Sequence, residues 1–403
     1  MKVLFLTDEF YPDFGANSLV VNSLCKELVK EGHIPYVMPF TYNKKYDEFE
    51  QWKGIQIIRK VQVEDTLLFY NELKKGHFRD SANIAFNMIY SKFVNDNDFR
   101  FKERVTSRKI IAEIISQEKI DIVVSICCSI ELSLPLLYLR EHGNLTSKWI
   151  LYFIDPFEGH TYYRKHYSQK VLRKWQHRLM KASDRVIVTD LIYEELKKWE
   201  TTDIIDKNTV VEFPKIEKRQ IEDCPDDILL SRNSTNVVCT GTRNEIERNS
   251  DFILAVCRGV RDRNIKFHFI GGGWAYKEAQ TKGNIIFHPP CSFQASINAQ
   301  LRADYLINIG NSAVNQLPSK VLEYICSGKP IISTFKSKDC PAIRLLKSYD
   351  ALLIDENNES IDGAIIKMEN FICSNHKKLE FQEIETRYKE YTPSYCTKKF
   401  FDL

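Results

Sequence analysis

The chain has 403 residues, too many for one ordinary core and about right for two domains. Hydrophobic residues make up 43% and charged residues 28%, the balance of a soluble globular protein, and a net charge of only +3 argues against a bulk nucleic-acid binder. No run approaches the ~20 apolar residues of a membrane span, and the apolar start KVLFL meets Asp8 and Glu9 too soon for a signal peptide. The 11 cysteines, Cys127 and Cys128 among them, lack zinc-ligand or redox spacing and read as reduced core thiols of a cytosolic protein.

The segment 2–7, KVLFLT, is almost wholly apolar, as a strand buried on both faces of a parallel sheet must be. A loop with Gly15 follows. Residues 17–31 then read as a helix, with Val20, Leu24 and Leu28 on one face and Gly32 suited to its stop. Strands of the same type recur over 120–126, 149–154 and 185–189, with helical patterns between them, which is a doubly wound α/β layout. The stretch 41–102 departs from this rhythm. It carries a short strand at 55–58 and an aromatic-rich helical region, and reads as an insertion lining a substrate face.

The segment 211–234, VEFPKIEKRQIEDCPDDILLSRNS, mixes prolines with charges and reads as a linker. A second alternation follows: strands at 237–240, 266–270, 284–288, 304–309, 330–333 and 351–354, with helices at 250–260 and 293–302. The tail ETRYKEYTPSYCTKKFFDL is helical, broken by Pro393, and too short to be a domain. The expected division is therefore 1–210, with 384–403 packing back onto it, and 211–383.

Four stretches carry chemistry. In NQLPSKVLEYICSGKPIIS, 315–333, Pro318 suits a first helical turn. The free N–H groups beyond it, the helix dipole and Lys320 favour an anion there. Glu323, on the same face as Lys320, would repel phosphate and suits a vicinal diol such as that of a ribose. Together they fit a nucleotide diphosphate; the plain alternative is a capped surface helix with a local Lys–Glu pair. In TGTRNEIERNSD, 240–251, Gly241 admits a ligand at a strand end, and Arg243 and Arg248 suit a diphosphate, unless the loop is merely solvated. FIGGGW, 269–274, and the loop Asp13-Phe14-Gly15-Ala16-Asn17-Ser18 both let a ligand approach the backbone, but neither has the G-x-G-x-x-G spacing of a dinucleotide site. Finally, HTYYRKHYSQKVLRKWQHRLMKAS, 160–183, has seven lysines and arginines and no acid, with Leu172, Trp175 and Leu179 at helical spacing. It reads either as a basic amphipathic helix for an anionic membrane surface or as a core-facing helix with a solvated basic side.

Taken in order, KVLFLTDEFYPDFGANSLVVNSLCKELVKEGH, SDRVIVTDLIYEELKKW, CTGTRNEIERNSDF and LPSKVLEYICSGKPII resemble the GT-B glycosyltransferases, specifically the large retaining family 4, over nearly the whole chain. The resemblance implies two Rossmann-like doubly wound domains facing a central cleft. It implies transfer of a sugar from a nucleotide-diphosphate sugar, UDP-sugars favoured, to a glycan or lipid-linked acceptor in cell-surface polysaccharide synthesis. The protein would be cytoplasmic or peripheral at the inner membrane face. Gly15 would lie beneath the donor diphosphate, and Arg248 would neutralise the leaving group together with Lys320. Glu323 matches the second glutamate of the family's E-x7-E motif; at the first stands Asn315, which hydrogen-bonds but carries no charge. At the family's other basic position stands Thr242, where Arg243 substitutes. The candidate donor set is completed by Ala16, Gly272, Leu317, Pro318 and Ser319, and Asp155 is assigned to the acceptor side. No metal or cofactor is expected. Asp96-Asn97-Asp98 has the D-x-D form of a metal motif from another glycosyltransferase fold, but it sits in a polar run. Two rivals stay open: a sugar-nucleotide epimerase of the same fold, and a non-catalytic sugar-nucleotide-binding protein.

Overall fold

The computed structural model describes residues 1–60, 101–126, 132–154, 169–241, 249–273, 283–310, 317 and 319–403, the side chains of 101–106 and Val171 excepted. It divides into two compact units, Met1–Pro214 with Pro393–Leu403, and Lys215–Thr392. The sequence reading put these divisions at 210/211 and 383/384. The difference at the tail has a local cause: the Tyr388 hydroxyl donates to the Leu345 carbonyl at 2.8 Å, and Tyr391 is buried, so 384–392 stay on the second unit.

The first unit holds one sheet in the order β3-β4-β2-β1-β5-β6-β7-β8. These strands are β1 (Lys2–Thr7), β2 (Ile34–Pro39), β3 (Phe49–Trp52), β4 (Ile55–Ile58), β5 (Ile122–Ile126), β6 (Lys148–Phe153), β7 (Arg185–Val188) and β8 (Asn208–Val210). All neighbours run parallel except the hairpin β3–β4. Val3, Leu4, Phe5 and Leu6 of β1 are fully buried, as a central strand covered on both faces requires. The helix Ala16–Lys30 buries Val20, Val21, Leu24, Cys25 and Leu28, and ends where Gly32 adopts a positive φ of 76°.

The final helix, Pro393–Phe401, packs on this first unit. Phe401 meets Phe5 and Phe400 meets Tyr152 edge to face, and Asp402 pairs with Arg185. Pro393 thus opens a helix rather than breaking one, because its missing N–H lies in a first turn that has no partner for it.

The second unit is a wholly parallel sheet in the order β11-β10-β9-β12-β13-β14. Its strands are β9 (Thr235–Thr240), β10 (Ile265–Ile270), β11 (Ile285–His288), β12 (Tyr305–Asn308), β13 (Ile331–Phe335) and β14 (Ala351–Asp355). The helices Asp251–Gly259 and Ile361–Cys373 cover one core with Val237, Phe267, Phe269, Ile307 and Ile332. Among the described residues no helix is long and apolar enough to cross a membrane. Nine cysteines are described, all free, and Cys25, Cys239, Cys257, Cys326, Cys340 and Cys396 are buried.

Candidate functional site

The strand order of the second unit reverses at β9: the chain goes to β10 on one side and later to β12 on the other. In open α/β sheets ligands bind beyond the carboxyl ends of the strands at such a switch point. Gly241 follows β9 there with φ 126°, and Gly271 follows β10 with φ 133°. A Cβ on Gly271 would lie 2.4 Å from the Gly241 carbonyl oxygen, so the two loop backbones approach more closely than any side chain permits. The helix Ser319–Cys326 packs against the same corner. Its Tyr324 hydroxyl accepts from the Thr240 N–H at 2.8 Å, and its Lys320 Cε lies 3.8 Å from where a Gly241 Cβ would be.

Lys320 and Glu323 meet at this corner. Lys320 Nζ donates to Glu323 Oε2 at 2.7 Å. The other oxygen, Oε1, lies 3.7 Å from Lys215 Nζ. The Glu323 side chain is only 3% exposed and that of Lys215 only 2%, whereas Lys320 keeps 21%. Burial by itself would raise the Glu323 pKa. The Lys320 and Lys215 charges, with the Lys320 hydrogen bond, outweigh it and bring the value down to about 2. Burial pulls the Lys215 ammonium down, and Glu323 offsets only part of that, because Lys320 and Arg219 repel it. Lys320, Lys215 and Arg219 face Glu323 and Glu217, so this corner holds more cation than anion.

Lys215 is absent from the candidate residues read in the sequence, where it fell in the expected linker. The start of that segment is not solvated: Val211, Phe213, Lys215 and Ile216 are buried, while most of 218–233 is exposed. The available signal was a lone lysine between Phe213-Pro214 and Ile216.

Of the other candidates on this unit, Ser319 opens the helix, Leu317 is buried beside it, and Gly272 lies between Gly271 and Gly273 after β10. Arg243, Arg248, Asn315 and Pro318, like Asp155 on the first unit and Asp96-Asn97-Asp98, lie outside the described residues.

The first unit repeats the switch-point arrangement, with β2 on one side of β1 and β5 on the other. Gly15 sits there as the N-cap of the helix that begins at Ala16. Its N–H donates to Ser18 Oγ at 2.8 Å, and the Ser18 hydroxyl donates back to the Gly15 carbonyl at 3.0 Å. A Cβ at Gly15 would lie 1.6 Å from Glu9 Oε1, so a carboxylate fills the space over this glycine. Burial, with Asp8 and Asp13 nearby, pushes the Glu9 pKa up. Tyr11 stacks on Trp52 at 4.5 Å between ring centres, and Phe14 packs on the same indole. Sequence reasoning missed Glu9 and Trp52.

The helix Gln169–Ala182 is the described part of the basic stretch. Leu172, Trp175 and Leu179 are buried, so the apolar stripe belongs to the core. Arg178 is held bidentately by Glu141 at 2.8 Å, and His177 pairs with Glu200 at 2.9 Å. Tyr162, Tyr163 and Tyr167 lie outside the described residues. Among the described residues no cluster of three or more histidine, cysteine or carboxylate side chains is placed to hold a metal.

No family model matches this sequence, and no curated protein matches it significantly. Solved structures do. The chain superposes on WaaB, a lipopolysaccharide outer core galactosyltransferase in its apo form, with TM-score 0.60 and 13% identity, over 99% of this chain and 98% of that one. It superposes on an α,α-trehalose-phosphate synthase (UDP-forming) from Burkholderia xenovorans, in complex with glucose-6-phosphate, with TM-score 0.62 and 10% identity over 99% of each chain. The fold is GT-B. A putative UDP-N-acetylglucosamine 2-epimerase from Listeria monocytogenes is similar too, with TM-score 0.56 and 11% identity over 98% of this chain and 94% of that one. At such identities the likeness concerns the fold, and the GT-B fold by itself does not choose between transfer and epimerisation.

Proposed function

We propose that this protein is a glycosyltransferase that moves a sugar from a nucleotide-diphosphate sugar, UDP-sugars first, to a glycan or lipid-linked acceptor in cell-surface polysaccharide synthesis. One observation carries the reading: a lysine and a buried, ionised glutamate sit together beyond β9, at the strand-order reversal of the second unit. Lys320 and the N–H groups at the start of its helix suit the diphosphate. Glu323 keeps lone pairs for ribose hydroxyls beyond those facing the two lysines. Arg248, with Arg243 near it in sequence, is assigned to the charge that develops on the leaving diphosphate. Asn315 is assigned to the donor as a neutral hydrogen-bonding group. Two structural neighbours support the reading by their own descriptions, one as a galactosyltransferase and one as a UDP-forming synthase. Membership of family 4, a retaining outcome and independence from metal rest on the order of the sequence motifs. So does a cytoplasmic place at the inner membrane face.

The epimerase neighbour keeps a second reading open, conversion of the donor sugar with no acceptor. The deciding experiment has two steps. A thermal-shift panel of nucleotide sugars identifies the donor, since a ligand that binds the folded state raises its stability. The isotope-labelled donor is then incubated with and without a pool of glycan and lipid-linked acceptors. An extended acceptor in the mass spectrum, with nucleoside diphosphate released, is the expected result. A converted donor sugar in the absence of acceptor would establish the epimerase instead. Binding with neither product would leave a sugar-nucleotide-binding protein.

A further inference from the structure

Lys215 is a charged side chain that the nucleotide reading does not use, yet it is 2% exposed and faces Glu323 Oε1 at 3.7 Å. Its backbone is pinned on two sides. The Lys215 N–H donates to the Tyr391 carbonyl at 2.9 Å, and the Cys326 thiol donates to the Lys215 carbonyl at 3.4 Å. The lysine is thus delivered to the helix Ser319–Cys326 by a fixed strut rather than by a loose tether. The other charged groups around the carboxylate are Lys320 from the same helix and, from the Lys215 segment, Arg219 and Glu217, which pair with each other at 3.0 Å.

We propose that Lys215 is the standing counter-ion of Glu323, and that it frees Lys320 to leave the carboxylate for an incoming diphosphate. The inference rests on the nucleotide reading of this site. Without ligand, Lys320 is committed to Glu323 Oε2 at 2.7 Å. A diphosphate competes for the same ammonium. Were Lys320 the only partner, its departure would strand a buried carboxylate, and such a group takes up a proton rather than stay charged. A protonated Glu323 is a poorer acceptor for ribose hydroxyls. Lys215 removes this conflict because it is too buried to follow the ligand and close enough to stay. It acts through Glu323 and is a positioning residue.

The test is isothermal titration of UDP into the wild type, Lys215→Met, Lys215→Arg and Lys215→Met/Glu323→Gln, between about pH 6 and 9, in two buffers of different ionisation heat. The wild type is expected to follow only the titration of the UDP terminal phosphate, at about pH 6, and to take up no proton at Glu323. Lys215→Met is expected to bind roughly tenfold or more weakly at the alkaline end, to recover towards pH 6, and to take up a proton on binding. Lys215→Arg should restore the wild-type profile, and the added Glu323→Gln should abolish the extra proton uptake. A ligand-free arm covers poor folding of Lys215→Met. There Lys320→Met imitates the departed lysine and should keep near-wild-type stability. Lys215→Met/Lys320→Met should lose stability and regain it when Glu323→Gln is added. Folded Lys215→Met that binds UDP with the wild-type affinity and proton count at every pH would overturn this inference alone. A double variant as stable as Lys320→Met would overturn it as well. A wild type that binds neither UDP nor GDP would overturn the nucleotide reading first, and this inference with it.

Discussion

The Tyr324 hydroxyl holds both ends of the Thr240 backbone: it accepts from the Thr240 N–H at 2.8 Å and donates to the Thr240 carbonyl at 3.2 Å. Thr240 is the last residue of β9, and its own hydroxyl accepts from Gln300 Nε2 at 2.9 Å. One phenol therefore couples the helix of Lys320 and Glu323 to the loop that starts at Gly241. Tyr324→Phe keeps the ring and leaves the Thr240 N–H without this partner in a buried place. The variant should unfold with a loss of ~1–3 kcal/mol, measured by chemical denaturation. Stability equal to wild type would mean that the hydroxyl does not hold this corner.

Lys320→Ala and Glu323→Ala should each weaken UDP or GDP binding by roughly 1.5–3 kcal/mol, the loss of a charge-assisted hydrogen bond. Calorimetry is the measurement, with circular dichroism to confirm folding. Unchanged affinity in both folded variants would remove the nucleotide from this corner.

Arg248 is proposed to act on the leaving group rather than on ground-state binding. Arg248→Ala should then lower kcat more than it raises KM. A raised KM with unchanged kcat would make it a binding contact only. In the same assay, transfer should survive EDTA. Activity lost to chelator and restored by one divalent ion would show that a metal takes part.

His268 should make stability depend on pH below neutrality. Asn236 spends its amide N–H groups on the Ser231 and Ser234 carbonyls at 2.9 Å, so its oxygen faces His268 Nε2 at 3.1 Å as a fixed acceptor. His268 Nε2 must then carry the hydrogen, and Nδ1 accepts from His288 Nε2 at 2.9 Å. Burial, with His288 and Lys266 nearby, lowers the His268 pKa to about 4. The unfolded chain, at about 6.5, takes up the proton first. Stability from this group is therefore complete above pH ~6.5 and is lost as pH falls towards 4, by up to about 3 kcal/mol. The difference in unfolding free energy between wild type and His268→Asn, followed across this window, isolates the contribution. A difference that does not vary with pH would show that His268 is not the group responsible.

A membrane contact, if made, belongs to the basic face of the helix Gln169–Ala182 and not to its apolar stripe. Lys170, Lys174 and Lys181 are exposed and lie within about 40° of arc at 3.6 residues per turn, opposite buried Leu172, Trp175 and Leu179. Each basic residue near an anionic surface contributes roughly 1 kcal/mol. Replacing the three lysines with glutamate should abolish sedimentation with anionic vesicles while preserving the fold. Equal binding to neutral and anionic vesicles, or none by the wild type, would return this face to solvent.

What could be read from the sequence was local. β1 shows itself because a strand buried on both faces must be apolar at each position, and the helix Asp251–Gly259 because Phe252, Ile253, Val256 and the following Val260 recur at helical spacing. The helix of Lys320 and Glu323 and the glycine loops at Gly15 and Gly241 were equally plain. β2 escaped because Pro35 and Pro39 argue against a central strand, and β3 because its four residues, FEQW, do not alternate apolar with polar. Only the tertiary structure decided the rest. It committed the apolar stripe of the basic helix to the core by burying Leu172 and Leu179, placed Glu9 over Gly15, and turned an expected linker into the carrier of Lys215. A buried charge is tolerated only where a partner waits, and the partner of Lys215 is supplied by a helix remote in sequence that the parallel crossovers of the second sheet bring to the same corner.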